Sequence, residues 1–304
     1  MRKALPYLAT TILLFSTFEI TSKMLGGLVP PLQINFLRFL IGGLVLLPAA
    51  WRHIKSKDLS LCAADWLALT LLGLVNIGIS MVLLQYSILY TRAAIAAVIF
   101  SCNPLFVLLT AFIIGEEKVT FLKLAGISLG IVGVAVIFLP ELRGTNASAL
   151  GVSLAIASAA AYGIYTVMGR RLTMRLGSPV TNSFSFIIGS LLTLPVMIHL
   201  GVPQFHLPLK ALPAIAYLGI FVSGVAYLTF FIGLSRTEAG RGSMVFFIKP
   251  VLAGVLAAIL LSEPLTLSLI IGTVFILSGL FVVNWAPRKA ARAATFPENA
   301  RDSG

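Results

Sequence analysis

The sequence predicts an all-α integral membrane protein in which ten transmembrane helices form two inverted five-helix repeats, with both termini cytoplasmic. Three observations carry this. The chain of 304 residues is 59% hydrophobic and only 11% charged, whereas a soluble domain holds about 25% charged residues. Only lipid absorbs such an apolar excess. Its lysines and arginines crowd one side of the apolar runs, and its second half repeats the first at a shift of 146 residues.

The spans come first. A bilayer core about 30 Å thick takes about 20 residues of helix. Cutting at charged and Pro/Gly-rich breaks leaves ten runs: 5–25, 31–50, 64–86, 93–114, 121–140, 148–169, 180–199, 212–234, 241–261 and 267–286. The first follows a charged start but is interrupted by Glu19 and has no small-residue cleavage site after it. It is read as an uncleaved spanning helix, not a signal peptide. The linkers are too short for a soluble domain.

Orientation follows from charge. With the N-terminus inside, 16 Lys and Arg residues face the cytoplasm and four (Lys23, Arg92, Arg143, Lys210) face outward. Such a bias is the positive-inside signature. It also accounts for the net charge of +12, because the bases sit at run ends, not on a patch interleaved with aromatics; nucleic acid is excluded as a partner. Cys62 and Cys102 show neither C-x-x-C nor ligand spacing, and His53, His199 and His206 lie at loops or span ends. No disulfide, metal or cofactor is expected.

The repeat fixes the domains. At a shift of 146, Pro104 falls on Pro250, Glu117 on Glu263, Thr120 on Thr266, Gly126 on Gly272 and Gly133 on Gly279. Gly73 meets Gly219 and Gly78 meets Gly224; at 147, FLIGGLVLLP (39–48) aligns with FIIGSLLTLP (186–195). The units are 1–145, 146–287 and a polar cytoplasmic tail, 288–304. Five spans per unit is an odd number, so the second unit enters the membrane from the opposite side. Secondary transporters share this plan and hold their solute near the midplane between the repeats.

The same register places Asn103 on Lys249, each directly before a proline, Pro104 or Pro250. Both lie ~14 Å into their spans at ~1.5 Å per residue. A proline there removes a backbone hydrogen bond and kinks the helix.

The two stretches NPLFVLLTAFIIGEEKVTFLKLAGISLGIVGVAVIF (103–138) and KPVLAGVLAAILLSEPLTLSLIIGTVFILSGLFVV (249–283) share a P…E…T…G…G skeleton. With FSTFEITSKML and PPLQINFLRFL in the first two spans, the whole chain resembles the drug/metabolite transporter superfamily, specifically the EamA-type ten-helix permeases. The resemblance implies a small-molecule permease, often an exporter, with a central cavity lined by spans 1, 3, 4, 6, 8 and 9. It identifies the fold better than the substrate. The second copy has Ser262-Glu263-Pro264 where the first has Glu116-Glu117-Lys118, but the motif glutamate is kept in both.

Individual residues are then weighed. A lysine at the centre of a span costs ~2.5–3.5 kcal/mol on insertion scales, so Lys249 is read as a counter-ion for an anionic solute group; the bland reading is a packing ion pair. Glu19 and Arg38 lie level, each ~10 Å from the outer face at ~1.5 Å per residue. They form either a structural pair or, through Glu19, a proton-coupling site; Glu19 could instead meet Lys249, across ~8 Å of depth at ~1.5 Å per residue. Tyr162 and Tyr165 share one helical face, as cavity or packing aromatics. Asn76, Gln85, Tyr86 and Asn103 are read as a polar cavity wall or, equally, as hydrogen-bonding glue between helices, since a buried amide in lipid needs a partner. Glu117 and Glu263 are read as structural anchors.

The sequence therefore points to a secondary carrier in the cell (inner) membrane. It would export an amino acid or another anionic or zwitterionic solute, with protons as the candidate coupling ion. The alternatives are a channel-like facilitator and a membrane-embedded lipid-modifying enzyme. The chain carries no H-E-x-x-H, G-x-S-x-G or P-loop motif, so neither enzyme chemistry nor ATP hydrolysis is expected. The partners are solute and bilayer; the sequence assigns no oligomeric state.

Overall fold

The computed structural model describes residues 3–18, 21–22, 25, 28–90, 99–142, 149–249, 251–252 and 267–285. Every regular element among them is helical. In chain order these are α1 (Leu5–Ser16), α2 (Pro31–Lys57), α3 (Ala63–Gly73), α4 (Val82–Tyr90), α5 (Asn103–Ile113), α6 (Phe121–Leu142) and α7 (Ala149–Leu176). They continue with α8 (Ser178–His199), α9 (Leu212–Tyr217), α10 (Ala226–Leu234), α11 (Ala239–Ser243) and α12 (Leu267–Trp285). Five stretches are long and apolar enough to cross a bilayer: Pro31–Lys57, Ala63–Ser87, Leu150–Leu176, Ser178–His199 and Leu209–Leu234. Leu5–Ser16, Ile99–Ile113, Phe121–Gly133 and Ile270–Gly279 are shorter apolar helices.

Proline opens many of these helices. It occupies the first turn of α1, α2, α5, α8 and α9, where its missing N–H would have had no intrahelical partner. Pro104 lies at a break in its rod: residues 99–101 are helical, Cys102 is a turn, and α5 restarts at Asn103. The α7–α8 corner turns on Gly177 at φ +82°. A Cβ there would also run into the His53 ring, so glycine is needed twice over.

Two rods are wound differently from the rest. Between α3 and α4 the backbone takes π-helical bonding over Leu74–Met81, and between α9 and α10 over Leu218–Val225. The two π segments overlap when superposed by the repeat shift. Such wide turns are rare and frequently occur at functional sites.

Glycine sets how closely the helices approach. A Cβ on Gly133 would lie 2.6 Å from the carbonyl of Gly272, and one on Gly279 would lie 2.5 Å from the carbonyl of Gly126. The four residues are two repeat pairs, and the contact exchanges them. The same holds elsewhere: a Cβ on Gly42 would lie 3.0 Å from the Gly219 carbonyl, and one on Gly189 would lie 2.7 Å from the Gly73 carbonyl. Reciprocal contacts of this kind are what a two-fold relation produces. In lipid, where apolar burial gives helices no net attraction, close backbone approach supplies the packing energy.

The two ends of the bundle differ. At one end Arg175 pairs with Asp65 at 3.1 Å, Arg170 and Arg171 both pair with Glu116, and Arg236 donates to the Lys3 carbonyl at 3.1 Å. At the other, Gln33 donates to the carbonyls of Gln204 and His206, and Phe36 packs edge-on against Phe205.

Candidate functional site

The centre of the bundle is an aromatic cluster drawn from five rods. Tyr227 at the start of α10 stands among Phe15 of α1 (ring centroids 5.0 Å apart), Phe39 of α2 (5.6 Å), Phe186 of α8 (5.1 Å) and Tyr165 of α7 (6.3 Å). Phe246, in the 3-10 turn Met244–Phe247 after α11, stacks on Phe15 at 5.7 Å and meets Tyr162 edge-on at 5.5 Å. Tyr162, Tyr165 and Tyr227 are at most 3% exposed. Offset and edge-to-face rings at these spacings are each worth ~0.5–1.5 kcal/mol beyond area burial.

Two polar features break this apolar packing. Asn76, in the first π segment, is fully buried, and neither its Oδ1 nor its Nδ2 has a hydrogen-bond partner among the described residues. The Tyr227 hydroxyl lies beside the Asn76 amide and the Tyr162 hydroxyl, but not in hydrogen-bond geometry with that amide. The Tyr165 hydroxyl is also buried without a described partner. An unmet buried polar group costs ~1–3 kcal/mol, so its retention marks a place where something polar is expected.

The second feature is a pair of cations on one ring. The Arg38 guanidinium lies 4.6 Å from the centroid of Phe18, and Lys249 Nζ lies 5.6 Å from the same centroid. Arg38 is buried. It also covers the Phe39 ring at 4.3 Å, bonds Asn35 Oδ1 through Nε and Nη2, and donates to Met81 Sδ at 3.3 Å. Lys249 is half-buried on the short helical stretch after the 3-10 turn. Phe39 joins this charged pair to Tyr227, and so to Asn76.

The charged end is closed by buried ion pairs. Glu117 accepts from Lys123 Nζ at 2.9 Å and from the Gly240 N–H at 2.9 Å. Lys123 also meets Glu238 at 2.8 Å, and Glu238 meets Arg241 at 3.5 Å. The side chains of Glu117 and Lys123 are 3% and 8% exposed. These bonds tie the α5–α6 corner to the start of α11.

This helix arrangement matches known proteins. The EamA-like transporter family matches residues 2–139 and again residues 149–285. The chain belongs to that family. An uncharacterized transporter from Clostridium kluyveri is 35% identical over 298 residues, covering 96% of each chain. One from Archaeoglobus fulgidus is 29% identical over 278 residues, covering 91% of this chain and 96% of that protein. A crystal structure described only as that of a protein superposes with a TM-score of 0.79 at 25% identity, covering 94% of this chain and 98% of the other.

Against this EamA-like frame, the residues singled out in the sequence fall into three groups. Arg38, Lys249, Asn76, Tyr162 and Tyr165 converge on the centre. Asn103 is buried one step away: its Nδ2 bonds the carbonyl of Phe100, whose ring meets Tyr162 at 5.1 Å, and its Oδ1 has no described partner. Gln85 and Tyr86 are half-buried on α4, the continuation of the first π segment. Glu19, Pro250 and Glu263 lie outside the described residues.

Sequence reasoning missed Tyr227, Phe18 and Phe246, which carry no signal in so apolar a chain. It also missed Asn35 and Asn182, which do. They are repeat mates at the shift of 147. Asn35 Nδ2 donates to the Ile77 carbonyl at 3.5 Å, and Asn182 Nδ2 donates to the Tyr227 carbonyl at 3.3 Å. Each amide from the second rod of its half supports a carbonyl at or beside the π segment of the third.

Proposed function

We propose that this EamA-like protein is a secondary carrier. It exports a small metabolite, an amino acid or another anionic or zwitterionic solute, from a site at the midplane between two inverted five-span halves. The convergence of Arg38 and Lys249 on Phe18, directly beside a buried aromatic cluster with an unmet Asn76 amide, carries the reading. Charge inside a bilayer is retained where it faces a pathway or a ligand.

The reciprocal glycine contacts support the inverted arrangement. The charged end, rich in Lys and Arg, is assigned to the cytoplasm by the positive-inside rule. In this reading both termini are cytoplasmic and the membrane is the cell (inner) membrane. In this arrangement the Glu117–Lys123–Glu238 pairs seal the cytoplasmic mouth, and opening them admits solute. Glu19 is the candidate proton-coupling carboxylate.

The test is a pooled metabolite and amino-acid uptake screen in inside-out vesicles, wild type against Lys249→Ala. Saturable uptake of an anionic or zwitterionic solute, lost in a folded variant, is expected. Equal uptake by both proteins would remove Lys249 from the site.

A further inference from the structure

We infer that the solute is an organic monoanion with a flat aromatic or apolar body, in preference to a zwitterionic amino acid. The inference rests on the carrier reading above and narrows its substrate class. It follows from a charge count and from the walls around the charges. Away from the span ends, the spans hold two cations, Arg38 and Lys249, and one carboxylate, Glu19. Among the described carboxylates, Asp65, Glu116, Glu117 and Glu238 are engaged with bases at the charged end.

By sequence these three groups sum to one positive charge when all are ionised. A solute of net charge −1 brings the loaded centre to neutrality. A zwitterion leaves it at +1, a state that low-dielectric surroundings disfavour. A zwitterion also brings an ammonium into a centre where two cations already lie 4.6 and 5.6 Å from the centroid of one ring, Phe18.

The walls specify the rest of the molecule. Beside the cations stand Phe15, Phe39, Phe246, Tyr162 and Tyr227, all at most 5% exposed. These ring faces and edges suit a flat apolar body. The unmet amide of Asn76 and the unmet hydroxyl of Tyr165 suit a hydrogen-bonding substituent on that body. A hydroxylated or carbonyl-bearing aromatic monocarboxylate has all three parts.

The experiment uses the purified full-length chain in proteoliposomes, with a thermal-shift assay in parallel. Three probes share one 4-hydroxyphenyl body and differ in which ionic groups, and so which net charge, they carry: 3-(4-hydroxyphenyl)propionate (carboxylate, −1), tyrosine (carboxylate and ammonium, 0) and tyramine (ammonium, +1). The propionate is expected to be carried and to stabilise at concentrations at least tenfold lower than tyrosine, with tyramine weakest. Lys249→Gln lowers the interior sum by one and is expected to turn the preference toward tyrosine; Lys249→Arg keeps the sum and the wild-type order. A lysine that only packs would give no such turn in rank. Saturable flux of tyrosine at equal or lower concentrations than the propionate in the wild type would overturn the inference while leaving the carrier reading standing. Failure of all three probes on folded protein would overturn the inference too, and the broad vesicle screen would then decide the carrier reading separately.

Discussion

Asn76 and Glu19 separate function from packing most sharply at the residue scale. Asn76 is fully buried with both amide atoms unmet among the described residues, so a side chain of the same branched shape without polar atoms relieves a penalty of ~1–3 kcal/mol. Asn76→Leu is expected to leave the melting temperature unchanged or raised while cutting flux at least tenfold; a lowered melting temperature would make Asn76 a structural residue. Its place in the sequence was legible because an amide inside an apolar run has few bland explanations. Tyr227 was not, because one tyrosine among 30 aromatic residues carries no periodic signal and gains meaning only from its neighbours in space. Glu19 is tested by pH. In a proton-coupled carrier Glu19→Gln removes the pH dependence of flux across the range where the wild type responds. Flux that keeps its pH response in the variant would assign coupling elsewhere.

The π segments, the glycine contacts and the ion-paired corner act at the scale of elements. The glycine register was visible as repeat matches, but its purpose was not, since sequence says which residues are small and not which backbones they let touch. Gly133→Val and Gly73→Val are expected to destabilise the fold by about 1–3 kcal/mol, the usual range for forcing extra methyl groups into a packed interface. Denaturant titration in detergent measures this, and wild-type stability in both variants would contradict the contact geometry. The π turns had no sequence signature beyond the paired glycines; the Asn35 and Asn182 amides that bond carbonyls in or beside them come from a different rod of the same half. At the charged corner, removing one member of a buried pair leaves the other uncompensated. Lys123→Met is expected to cost about 3–5 kcal/mol, and a cost near zero would show the corner to be already hydrated.

The account for the whole molecule is one of two related halves closing on a shared centre. Class, membrane residence and family were legible from composition and from the twin helix-pair signature, since both depend on sums and spacings. The centre was half legible: Arg38, Lys249 and the tyrosine pair stood out as polar groups in apolar runs, while Phe18 and Phe246, which bring them together, did not. Alternating access is the claim on which the rest depends. The direct measurement is thiol labelling of Phe246→Cys, in a Cys62→Ser, Cys102→Ser background, with a membrane-impermeant reagent added from either face. A second version carries Glu117→Cys and Gly240→Cys as a disulfide across the closed corner. The account predicts labelling from both faces when the corner is free, and from the non-cytoplasmic face alone when it is locked. Labelling from both faces in the locked protein, or from neither face in the free one, would contradict it.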